Sequence, residues 1–168
     1  MPRVRLHGLL LTLALALAFV MRFWGLREQG LRFVDEGEYC FFGACILHGT
    51  HGQIIDKPGH GLLIFLGFQA FGFSMASALF VSAALGFLSV VLLYKLARDL
   101  WGGAEALIAA CLAATLPFWL YYQRSSMSDG NYLFFSLLGW WLGWRAADRL
   151  DRWSPGRGLL FAASGLAF

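Results

Sequence analysis

The chain has 168 residues, of which 59% are hydrophobic and only 14% charged, with a mean hydropathy of +0.64 and a formal net charge of +3. Soluble domains carry roughly a quarter charged residues, so this composition excludes an ordinary water-soluble globule. The basic excess does not point to nucleic acid either, because the cations sort by loop instead of lining one stripe.

In chain order, Leu6 to Trp24 is free of charge except at Arg22. About 17–25 apolar residues match a hydrocarbon core of about 30 Å, so the run predicts a membrane helix over residues 6–25. A cleaved signal peptide is the competing reading, from Arg3 and Arg5, the apolar run and the small residues of 14–18. The run continues through Phe19-Val20-Met21, longer than such a peptide needs, and this favours an uncleaved helix.

An outer loop over residues 26–60 follows and carries the acidic stretch "FVDEGEYC" at 33–40. Asp35 with Glu38 three residues later reads as the aspartate form of a capping box opening a short helix. Tyr39, Phe42 and Ile46 keep helical spacing, and His48-Gly49 is the stop signal. Glu36 has no capping duty in this reading. Such a helix, apolar on one face, suits the membrane surface. Pro58 biases Lys57 toward an extended backbone and suits a helix's first turn, so the apolar stretch 61–73 reads as an interfacial or dipping helix.

Further membrane helices are predicted over 76–97, 104–122 and 130–147, with turn-like "DLWGG" and "DRWSPGR" as connections. A fifth begins near Gly158 and reaches Phe168 after about eleven residues, too short to span, which suggests a piece of a longer protein. The fold class expected is all-α, a polytopic transmembrane helical bundle with a long first external loop. With the amino terminus in the cytoplasm, the inside receives Arg3, Arg5, Lys95, Arg98, Arg145, Arg149, Arg152 and Arg157. The outside receives Arg22, Arg27, Arg32, Lys57 and Arg124. That bias follows the positive-inside rule and puts the acidic stretch outside. Cys40, Cys45 and Cys111 read as packing residues.

Three polar clusters therefore share the outer side: Asp35-Glu36, Asp56-Lys57, and Arg124 with Asp129. Each also has a purely structural reading. Asp35 and Asp129 could be N-caps, worth about 0.5–2 kcal/mol each, and Lys57 could be a snorkelling side chain. Ionisable groups near membrane depth are costly, so several gathered on one side are candidates for function.

Together these residues resemble a known family. "VDEGEYCFFGACILHGTHGQIIDKPGHGLLIFLGFQAFG" is similar to the first external loop of the GT-C glycosyltransferases, in particular the protein O-mannosyltransferase and aminoarabinose transferase group. The shared order is Asp35-Glu36, Tyr39, Gly49 or Gly52, Asp56-Lys57-Pro58 and Phe71-Gly72, with "RSSMSDGNYLFF" similar to the segment that carries the second external Asp, here Asp129. The chain departs from that pattern at Gly59-His60, at Gly130, and in lacking an Arg near the start of the second membrane helix, which bears on subfamily and substrate.

The resemblance implies transfer of a sugar from a polyprenyl phosphate donor to a lipid, glycan or protein acceptor, with inversion, at the outer face of the cell inner or plasma membrane. It assigns Asp35 as the base that deprotonates the acceptor, with Glu36 and Asp129 in the same catalytic group. Lys57 would stabilise the departing phosphate, and Tyr39, Asp56 and Arg124 would contact substrate. Some family members bind a divalent ion near the Asp-Lys-Pro element and others need none. A metal here would fall to Asp56 and His60, although the spacing of the loop's histidines matches no tight ligand motif. The rival reading is a non-catalytic polytopic membrane protein, a transporter or assembly subunit. A transporter gathers polar residues at the bilayer midplane, whereas the charges here collect at one side.

Overall fold

A computed structural model describes residues 2–50 and 57–147, with isolated positions near residue 160. Asp56, His51, Gly52 and most of the predicted fifth segment lie outside the described residues. Among those described there are helices and no strands: α1 (Pro2–Phe23), α2 (Val34–His48), α3 (Pro58–Phe71), α4 (Met75–Leu100), α5 (Gly103–Thr115), α6 (Pro117–Gln123) and α7 (Ser128–Ala147). The chain is an all-helical bundle. α1 and α4 are each long and apolar enough to cross a membrane, and α5 with α6 qualifies as one bent span.

Small side chains set the spacing of the bundle. Ala18 of α1, Val90 and Ala97 of α4, and Ala106, Ala110, Ala113 and Ala114 of α5 form a buried seam, where backbones approach closely and dispersion contacts do the holding. The outward faces carry the large residues. Leu6, Leu9, Leu13 and Val20 of α1, and Ile108 and Leu112 of α5, are exposed, as a lipid-facing surface requires. A second cluster of Tyr39, Cys40, Ile64, Phe68 and Ala78 packs α2 and α3 onto α4. The α2–α3 crossing is tight: a Cβ on Gly43 would lie 3.2 Å from the Gly61 carbonyl oxygen.

The start of α2 differs from the capping box expected at Asp35 and Glu38. The helix begins at Val34, with Phe33 as N-cap and no side-chain cap. Asp35 is therefore already inside the first turn, and both it and Glu38 are exposed. Glu36 has the capping duty that the sequence reading denied it: its Oε2 accepts the Arg32 backbone N–H at 2.9 Å. A carboxylate at the third helical position reaches back over the entering chain, as in a capping box, but to the N–H one residue before the N-cap. The stop at Gly49 is as expected. Its φ is 63°, and the Thr50 and Gly49 N–H groups donate to the Cys45 and Ile46 carbonyls at 2.9 and 3.2 Å, a Schellman closure that favours glycine. Pro58 opens α3 at its first turn, also as expected.

The helix predicted over 104–122 is not continuous. It bends by 60° between α5 and α6, because Pro117 has no N–H for the Ala113 carbonyl and its ring clashes with that turn. Arg22 of α1 fills the gap. Its Nη2 donates to the Ala113 carbonyl at 2.9 Å, its Nη1 to the Ala114 and Ala18 carbonyls at 3.4 and 3.1 Å, and its Nε to Gln123 Oε1 at 2.9 Å. Arg22 is 0% exposed, so this cation is a buried clamp and not the outer-loop charge assumed in the topology count.

The two ends of the bundle are built differently. At one end His7 Nε2 meets the Tyr94 hydroxyl at 3.0 Å, while Asp99 accepts from Trp141 Nε1 at 3.2 Å and pairs with Arg145 at 3.8 Å. At the other end lie α2, α3 and the turn between α6 and α7, where the acidic and basic candidates gather.

Candidate active site

The site is built around the turn of residues 124–128 and the first turn of α7. Lys57, just before Pro58, donates from Nζ to Ser128 Oγ at 2.9 Å. One turn along, His60 meets the Ser126 carbonyl oxygen through Nε2 at 2.9 Å and Asn131 Nδ2 through Nδ1 at 2.5 Å. A carbonyl can only accept, so Nε2 carries the proton and Nδ1 accepts from the Asn131 amide. Tyr39 of α2 closes on the same imidazole edge-to-face, with ring centroids 4.6 Å apart. Cys40 Sγ approaches Ser126 Oγ at 4.0 Å. Three separate segments thus meet at Ser126.

Charge at this end is unevenly buried. Glu36 is 0% exposed, and its Oε1 has no hydrogen-bond partner. Burial raises its carboxyl above the ordinary range, opposed by the backbone groups of Arg32, Ser126 and Phe33 and by the Arg32 charge. Burial lowers the His60 imidazole below its ordinary range, helped by the Lys57 charge and opposed by the Ser126 backbone and Asp129. Burial pushes the Cys40 thiol up to about 11, so it is not a nucleophile at neutral pH. Asp35 and Asp129, by contrast, are exposed on the first turns of α2 and α7, and Lys57 is half-buried.

Of the residues expected to act together, the structure joins Lys57, His60 and Tyr39 to the segment that begins α7, with Asp129 close enough to act electrostatically on His60. Glu36 approaches the same turn from α2, at the Ser126 backbone, while Asp35 beside it in the first turn is exposed. Arg124 is directed elsewhere. Its guanidinium donates to the Met21 and Trp24 carbonyls at 2.7 and 2.9 Å and to Gln29 Oε1 at 3.4 Å, closing the end of α1. Asp56 lies outside the described residues. Metal ligation by His60 does not fit this arrangement, since both ring nitrogens are already engaged and no lone pair is left for an ion. Among the described residues no group of three His, Cys, Asp or Glu comes together in metal-binding geometry.

Sequence reasoning missed Ser126, Ser128, Asn131 and the Arg22–Gln123 pair. The run "RSSMSDGN" was a visible signal, because so many small polar residues between two apolar helices need partners. Its partners, however, lie 66 to 86 residues away. A separate cleft of about 640 Å³ runs between α1, α3 and α4, walled by Phe23, Leu63, Leu66, Phe71 and Phe80 with Arg27 beside them.

Comparison with known proteins bears on this end of the bundle. No curated protein and no solved structure matched the chain. A family model did, from residue 56 onward, so it takes in Lys57, His60, Ser126 and Asp129 but not the Asp35-Glu36 stretch. It is described as dolichyl-phosphate-mannose-protein mannosyltransferase, and because it matches residues 56–168, more than half of the chain, this protein belongs to that family of GT-C type membrane glycosyltransferases.

Proposed function

We propose that this end of the bundle transfers a sugar from a polyprenyl phosphate donor to a hydroxyl or phosphate acceptor on the outer face of the membrane, with inversion. The observation that carries the reading is the attachment of Lys57 and His60 to residues 126–131, which sets a cation beside the turn that carries Asp129. Asp35 takes the proton from the acceptor oxygen. That oxygen attacks the anomeric carbon as the bond from this carbon to the phosphate oxygen breaks. The departing polyprenyl phosphate gains negative charge, which the Lys57 ammonium stabilises. Asp129 orients the acceptor. Arg22 offers nothing to a passing solute, because its donors are taken by backbone carbonyls and Gln123. This favours an enzyme over a transporter.

In this reading α1, α4, the α5–α6 pair and α7 all cross the membrane, with the amino terminus inside, and α2 and α3 lie at the outer surface. Single cysteines placed at 30 and at 127 in cells should react with a membrane-impermeant maleimide added outside. Labelling of either only after the cytoplasmic side is opened would reverse the orientation. A second expected result concerns the donor. Lys57→Met keeps the length of the side chain and removes its charge, and should weaken binding of polyprenyl phosphate by roughly 10- to 100-fold, the worth of a hydrogen bond to a charged group. Unchanged affinity would remove Lys57 from the phosphate site.

A further inference from the structure

We propose that His60 is a positioning residue: its imidazole spans the gap between α3 and the start of α7, and by holding the Ser126 carbonyl and the Asn131 amide it sets where Lys57 stands relative to Asp129. The inference rests on the glycosyltransferase reading for its consequence, though not for its structural content.

Four observations carry it. His60 is 5% exposed and uses both ring nitrogens, one as donor and one as acceptor, on two groups five residues apart. It lies three residues after Lys57 on the turn that begins at Pro58, so a shift of the imidazole moves the lysine with it. The Lys57–Ser128 bond joins the same two segments between the two His60 contacts. Finally, Tyr39 packs edge-on against the ring, which ties α2, and with it Asp35, to the same support. Without the imidazole, the side-chain hydrogen bonding shown between the start of α3 and the 124–131 segment would fall, among the described residues, to one flexible lysine, whose rotamer freedom is large. Asn131 is 4% exposed and its Oδ1 already lacks a partner. Losing His60 would leave the amide nitrogen unpaired as well and release the turn.

The substitutions His60→Leu and His60→Gln separate this role from simple packing. Glutamine can place an N–H donor and a carbonyl acceptor near the two imidazole nitrogens, whereas leucine keeps bulk and loses both bonds. In the detergent-solubilised full-length protein, amide hydrogen exchange across 124–131 should be faster in His60→Leu by tenfold or more, about the effect of losing 1.4 kcal/mol of local stability, and near wild type in His60→Gln. Binding of polyprenyl phosphate should weaken roughly 5- to 50-fold in His60→Leu and recover in His60→Gln. Against a Lys57→Met background, His60→Leu should add almost nothing, because residues acting through one another are not additive. Additive losses, equal exchange in all variants, or a glutamine variant as poor as the leucine one would each overturn the proposal. If exchange responds as expected but wild-type protein does not bind polyprenyl phosphate, the bridge stands and the glycosyltransferase reading of this site fails.

Discussion

Asp35→Asn is expected to reduce sugar transfer by about 10²-fold or more, the usual contribution of a general base, while leaving the protein folded and inserted. The structure sharpens the expectation of an intact fold. Asp35 is exposed, lies inside the first turn of α2, and provides no side-chain cap. The helix would lose only one favourable charge near its amino terminus, worth about 0.3–1 kcal/mol. Glu36→Gln should behave differently. Its carboxylate is buried, accepts the Arg32 N–H and faces the Ser126 backbone, so an amide group there would disturb the entry to α2 as well as the chemistry. Glu38→Gln, on an exposed position outside the cap, should do little to either. The measurement is transfer from labelled polyprenyl phosphate mannose in membranes carrying the full-length protein, with thermal stability followed alongside. Full activity in Asp35→Asn would place the base elsewhere and break the carry-over from the family resemblance.

Arg22→Met should be the most damaging single change to the bundle. Methionine occupies a similar length of apolar stem but donates nothing, so the Ala113 and Ala114 carbonyls and Gln123 Oε1 lose their donor together. Ala113 has no other recourse, since Pro117 stands where its intrahelical partner would be. Hydrogen bonds to a charged group are worth about 1.5–3 kcal/mol each. Removing an arginine eases insertion by roughly 2.5–3.5 kcal/mol on translocon scales, so for the three bonds the expected net loss is about 1–6 kcal/mol, enough to lower the yield of folded protein. The double variant Arg22→Met with Pro117→Ala gives the decisive comparison. Alanine restores the N–H that Ala113 needs, so much of the lost stability should return. Thermal unfolding in detergent reads the result. A single variant as stable as wild type, or a double variant no better than the single, would show that the clamp does not hold the broken span.

Features governed by short-range physics are readable along the chain. The apolar runs of α1 and α4 are legible because hydrocarbon thickness sets their length. The end of α2 is legible because a backbone at φ 63° favours glycine, and one follows His48. The start of α3 is legible because Pro58 has a preset φ and no amide to satisfy. The acidic and basic residues of the candidate site were likewise visible as charges out of place in an apolar chain, though not their geometry. Even local rules misled at Asp35, where the side chain that reaches back over the helix start is its neighbour Glu36. Which polar groups meet follows from the packing of distant helices. Arg22 finds Gln123 at a separation of 101 residues and His60 finds Asn131 at 71. Such partners are chosen by which helices pack and at what height, because a buried donor or acceptor must bond to whatever that packing brings within reach. Periodicity tells which face of a helix is apolar, but the height at which two faces meet depends on close contacts such as Gly43 against Gly61, and no local stretch of chain contains both partners.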